Sequence, residues 1–124
     1  MKVSIQRDVI EPMLEIARER HPQEVIFLLR GTVNHGDILI EDFLLPPFAS
    51  AGVSFAEFPQ HMLPIDLSIV GTAHSHPSGA YRPSTMDLNH FYSRIMIILA
   101  YPYRETNIGA FNSRGEDLNI VVTS

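Results

Sequence analysis

Three stretches limit what this chain can fold into: "EVIFLLRG" (24–31), "LSIVGTAHSH" (67–76) and "IMIILAYP" (95–102). A strand with one face in water alternates apolar and polar residues, whereas a strand covered on both faces reads as a short, nearly unbroken apolar run. All three runs have the length and the β-branched content of such buried strands. They predict a sheet whose middle is shielded from both sides, and the rest of the chain must supply the shielding. In "VSIQRDVIEPMLEIARERHP" the apolar residues Val9, Ile10, Met13, Leu14, Ile16 and Ala17 fall on one side of a helix over 8–20. Asp8 is its expected N-cap, Pro12 is expected within or near the first turn, and His21-Pro22 ends it. "STMDLNHFYSRI" (84–95) reads as a second helix.

The remaining segments read as hairpins and turns. "DILIEDFLL" (37–45) follows the polar "TVNHG" as the return strand of a hairpin with the first buried run, which Gly31 is expected to end, and Pro46-Pro47 stops it. "AGVSFAEF" (51–58) is a weaker strand signal, and "SAGVSFAEF" (50–58) is the candidate open edge. "NIGAFNS" and "LNIVVTS", with a turn at Arg114-Gly115 between them, form a closing hairpin. With no internal repeat, low-complexity tract or linker, the 124 residues are expected to make one mixed α/β domain over 1–124. Its curved sheet would carry one helix early and one midway.

The chain has no cysteine, so disulfides, thiolate metal ligands and cysteine nucleophiles are excluded, and any metal site must use nitrogen and oxygen. A formal net charge of -5 offers no basic field for nucleic acid. No apolar run reaches the length of a bilayer span, and "MKVSIQRDVIEP" lacks the apolar core of a secretory signal, so a cytoplasmic protein is expected.

"GTAHSHPSGAYRPSTMD" (71–87) concentrates the chemistry. In an extended strand, residues two apart share a face, so His74 and His76 project together while Ser75 points away. Pro77 ends the strand and "PSGAYRP" lets the chain fold back. Ser84 then reads as a helix N-cap with Asp87 in the first turn, where the helix dipole favours an ionised carboxylate. Each part has a plain structural reading: packed histidines on a strand, and a capping box. Their conjunction at the end of a strand and the start of a helix instead suggests two imidazoles and a carboxylate sharing a metal, the donor set of a catalytic Zn(II) site with an open fourth position. His90, three residues after Asp87, reads either as a helper of that site or as a surface histidine. Tyr81 and Arg82 read either as substrate contacts or as solvated loop residues.

The longer pattern H-x-H-P-x(6)-P-S-x-x-D in "HSHPSGAYRPSTMD" resembles the JAMM motif of the MPN+ (JAB/Mov34) metalloprotease family. The resemblance extends over "HPQEVIFLLRG", "HMLPIDLSIVGTAHSHP" and "IMIILAYPY", and is greatest to the short, stand-alone archaeal members. It implies an MPN/JAB fold of cytidine-deaminase-like architecture, with His74, His76 and Asp87 as zinc ligands and Ser84 as oxyanion stabiliser. It also implies Glu24 as general acid/base, a residue that composition alone would not single out from fourteen acidic residues. The activity implied is that of a zinc isopeptidase or peptidase cutting after the Gly-Gly tail of a ubiquitin-like small modifier. The protein would act as a monomer or homodimer, without membrane or nucleic-acid partners. Trimming of a sulfur-carrier protein by the same chemistry and a non-catalytic MPN interaction module stand as alternatives. A deaminase is excluded because its zinc needs cysteine ligands, and the H-E-x-x-H helix of other zinc proteases is absent.

Overall fold

A computed structural model of the chain describes residues 1–46 and 68–124. Its elements run β1 (Lys2–Gln6), α1 (Arg7–Arg20), β2 (Ile26–Asn34), β3 (Asp37–Leu44), β4 (Ile69–His76), α2 (Thr85–Asn89), β5 (Ile95–Ala100), a 3-10 turn (Glu105–Asn107), β6 (Ile108–Phe111) and β7 (Asp117–Thr123). The strands lie in the order β1-β3-β2-β4-β5-β6-β7, and β7 returns to β1, closing a barrel. β1 is parallel to both β3 and β7, β4 is parallel to β5, and the other pairs are antiparallel. This is a mixed α/β fold with a sheet curved so far that its ends meet.

The three apolar runs occupy neighbouring central strands, and every residue of β4 and β5 is buried. One cluster joins Val9, Ile10, Met13, Leu14 and Ala17 of α1 to Phe27, Leu29, Ala73, Ile97 and Leu99. On the opposite side of the same strands, Ile26, Leu28, Met96 and Ile98 pack against Phe91 and Tyr92. Burying each such side chain contributes about 1.5–3 kcal/mol relative to exposure, so the double cover expected from the runs is also what holds the sheet. The hairpin between β2 and β3 turns at His35 and Gly36, with φ of 53° and 83°, as a two-residue turn matched to strand twist requires.

Several sequence expectations are corrected. Helix α1 is capped by Gln6 rather than Asp8, and no side chain makes the cap hydrogen bond; Asp8 lies in the first turn. Pro12 falls beyond that turn, where its ring removes the hydrogen bond to the Asp8 carbonyl. Both residues are exposed. Gly31 does not end β2, which passes through a bulge there and continues to Asn34. α2 stops at Asn89, and Phe91 and Tyr92 follow it in non-helical backbone while still packing on the sheet. β1 had no counterpart in the sequence reading. The candidate edge at 50–58 lies outside the described residues.

Candidate metal centre

β4 carries His74 and His76 on one side, and its alternation sends Ser75 to the other, as the spacing predicts. Ser75 is fully buried and serves the backbone: its Oγ accepts the Val25 N–H at 2.8 Å, and its own N–H donates to the Val25 carbonyl at 3.0 Å. Glu24 is the residue before that doubly held valine. Its Oε1 lies 3.6 Å from His74 Nδ1, with about a third of its side chain open to solvent.

The loop after Pro77 folds back and delivers Asp87 on α2. Ser84 caps that helix: its Oγ accepts the Asp87 N–H at 3.0 Å, and Asp87 Oδ2 accepts the Ser84 N–H at 2.8 Å. The same Oδ2 lies 3.1 Å from His76 Nε2, and Oδ1 lies 3.8 Å from His74 Nδ1. One ligand atom from each of His74, His76 and Asp87 therefore falls within 4.8 Å of the others, and all three residues are buried. Glu24 and Ser84 line the same pocket of about 440 Å³, together with His76, Asp87 and Met86.

The protonation pattern tests whether this trio suits a cation. His76 Nδ1 lies 2.9 Å from the Ala80 carbonyl, which can only accept, so Nδ1 carries the proton. In a neutral ring Nε2 is then a lone pair facing a carboxylate lone pair at 3.1 Å. Two acceptors at that distance repel unless a proton or a metal ion stands between them. Two imidazoles and a carboxylate form a nitrogen and oxygen donor set that fits a divalent ion. The electrostatics agree. Burial pushes the Asp87 carboxyl up, but the hydrogen bond with His76, the charge of His74 and the hydrogen bonds from Ser84 outweigh it and hold the pKa at about 2. Burial pulls His76 down, yet Asp87 and the Ala80 carbonyl raise it above the ordinary imidazole value.

His90 bonds the Met86 carbonyl of its own helix at 2.9 Å. His21, which follows the end of α1, stacks on Tyr101 at 4.5 Å, and its Nδ1 lies 2.8 Å from the hydroxyl of buried Tyr103. Burial first, then the charges of Tyr101 and Glu24, raise the Tyr103 pKa. That cluster and Ser75 fix the backbone on either side of Glu24. Nothing in the spacing of Tyr103 could have shown it, because the contact spans 82 residues.

A His, His and carboxylate grip with a second carboxylate at its mouth places the chain among metal-dependent hydrolases of the metalloprotease class. The comparisons narrow the class. The family model for prokaryotic homologs of the JAB domain matches residues 6–113, and the chain belongs to that family. A probable metalloprotease of Haloferax volcanii is 35% identical over 128 residues, covering 96% of this chain and 80% of the relative. The crystal structure of a JAB1/MPN domain protein from Archaeoglobus fulgidus superposes with a TM-score of 0.72 at 32% identity, covering 100% of both chains. A structure described as "JAMM: A Metalloprotease-like Zinc Site in the Proteasome and Signalosome" gives 0.69 at 30% identity over 98% of this chain and 99% of the other. The chain is a metalloprotease of the JAMM type with a metal-binding triad.

Proposed function

We propose that this chain, acting as a single MPN+ domain over 1–124, is a zinc isopeptidase or peptidase that cleaves after the Gly-Gly tail of a ubiquitin-like small modifier. The observation that carries the reading is the facing of His76 Nε2 and Asp87 Oδ2 at 3.1 Å beside His74, an arrangement that calls for a cation. His74, His76 and Asp87 would hold the zinc, which when bound lowers the pKa of water toward about 7 and polarises the scissile carbonyl. Glu24 takes the proton of the attacking water and returns it to the leaving amine. Its support is its position: on the pocket wall, 3.6 Å from a ligand, with about a third of its side chain open to solvent. Ser84 donates to the developing oxyanion. Its Oγ accepts the cap hydrogen bond through a lone pair, which leaves the hydroxyl proton available. A tail without side chains suits a centre whose ligands are nearly closed off, since only a slender, extended segment reaches them. The JAMM-type centre of the solved relative and the H-x-H-P to S-x-x-D pattern support the same substrate class.

The test is to incubate the chain and Glu24→Gln with a ubiquitin-like protein fused beyond its Gly-Gly end to a peptide, and with one linked to a lysine, identifying product termini by mass. Cleavage after the second glycine, blocked by chelator and restored by zinc, is expected. Glu24→Gln should retain zinc and turn over about 10²- to 10⁴-fold more slowly. Cleavage that ignores chelator overturns the metal role, and near wild-type turnover of Glu24→Gln overturns the base assignment.

A further inference from the structure

The loop between the ligands carries an aromatic ring that does not face the pocket. Tyr81 points instead at β6, where its ring meets Phe111 edge to face with centroids 5.7 Å apart. It lies over Gly109, and a Cβ at that position would come within 2.9 Å of Tyr81 Cζ. The notch exists because position 109 has no side chain. Immediately before Tyr81, the Ala80 carbonyl accepts the proton of His76 Nδ1 at 2.9 Å. The neighbouring residue Arg82 reaches Asp117 at 2.9 Å, but both side chains are more than half exposed, so that pair holds the loop weakly.

We propose that Tyr81, seated in the notch over Gly109, is a positioning residue that holds the Ala80 carbonyl against His76 and so fixes the tautomer and aim of a metal ligand. A ligand imidazole is oriented by whatever accepts its second N–H, and loss of such a partner costs about 10- to 100-fold in metal affinity or activity. Here the acceptor belongs to a backbone carbonyl in an exposed loop, and a carbonyl is only as fixed as its neighbours. The ring of Tyr81 ties that loop to β6 through Phe111 and Gly109, next to the carbonyl itself. This inference rests on His76 being a metal ligand and is independent of what the enzyme cuts.

Zinc affinity, measured by competition with a chromophoric chelator, tests it in Tyr81→Ala, Tyr81→Phe and Gly109→Ala. Tyr81→Ala should bind zinc about 10- to 100-fold more weakly, and the absorption spectrum of its cobalt-substituted form should change. Tyr81→Phe should stay within about twofold of the parent because the seat uses the ring and not the hydroxyl. Gly109→Ala should weaken zinc in the same direction by filling the notch from the other side. Thermal unfolding in chelator is expected to be unchanged for Tyr81→Ala, whose side chain is 46% exposed. Wild-type zinc affinity in Tyr81→Ala or in Gly109→Ala overturns the proposal, as does equal loss in Tyr81→Phe. A parent chain that binds zinc tightly and cuts no Gly-Gly substrate would sink the function proposed above and leave this inference standing.

Discussion

The two helices are stabilised in opposite ways. α1 runs for 14 residues, has no side-chain cap, and buries Val9, Ile10, Met13, Leu14 and Ala17 against the sheet. α2 has five residues, buries only Asp87, and carries a complete capping box. A helix of one and a half turns is far below the length that propagates on its own, so α2 exists because Ser84 and Asp87 satisfy each other's backbone N–H groups. The long helix draws its stability from packing and serves as scaffold. The short one depends on a polar cap, and half of that cap is Asp87, which faces His74 and His76 and would be a metal ligand in the function proposed above. Where stability and chemistry use the same carboxylate, neither can be altered alone.

The sharpest attempt to break this contrast is Asp87→Ala. Peptide hydrolysis and metal binding should fall to background, and the amides of Leu88 and His90, which bond back to Ser84 and Asp87, should exchange freely. If those amides stay protected, the cap does not hold the helix. Met13→Ala should do the reverse. It removes a fully buried side chain from the α1 interface and should cost about 2–5 kcal/mol in urea unfolding, while the metal-loaded site keeps its affinity. A smaller effect separates the two roles of the cap. Ser84→Ala should destabilise α2 by about 0.5–2 kcal/mol and Ser84→Gly by only a few tenths. Metal affinity should fall further in the alanine variant, whereas both lose turnover because both lack the hydroxyl. Equal metal affinity in the two variants would show that the cap does not place Asp87.

The smallest effect is in acid. The Asp87 carboxyl titrates near 2 in the folded, metal-free chain against 3.8 ordinarily, so its contribution is fully present above 3.8 and is lost as pH falls toward 2. The slope of stability against pH in that window should be shallower in Asp87→Asn, and an unchanged slope would contradict the depressed value.

Legibility followed the range of the interactions. β2, β4 and β5 could be read because burial on both faces leaves an unbroken apolar run, and α1 because its stripe repeats with the helical period. β1 was missed because its five residues pass straight into α1 with no turn residue to mark the change. The overextended second helix came from carrying the helical reading past Asn89 through Phe91 and Tyr92, which pack against the sheet after the chain has left the helix. Closure of the barrel pairs Val3 with Ile120, and no local pattern encodes a contact across that separation. In the site, His74, His76 and Asp87 stood out because their chemistry is unusual at that spacing. Glu24 did not, since its place depends on Ser75 gripping Val25, a hydrogen bond between residues 50 apart.

The alternation along β4 also governs how this segment can change length. Inserting or deleting one residue within β4 ahead of His74 would exchange the sides, turning the imidazoles into the aliphatic interior and Ser75 toward the mouth of the pocket. Insertions there are confined to even steps or to a compensating bulge. The loop over 77–83 has no such parity; what constrains it is that its return must still set the Asp87 carboxylate opposite the strand.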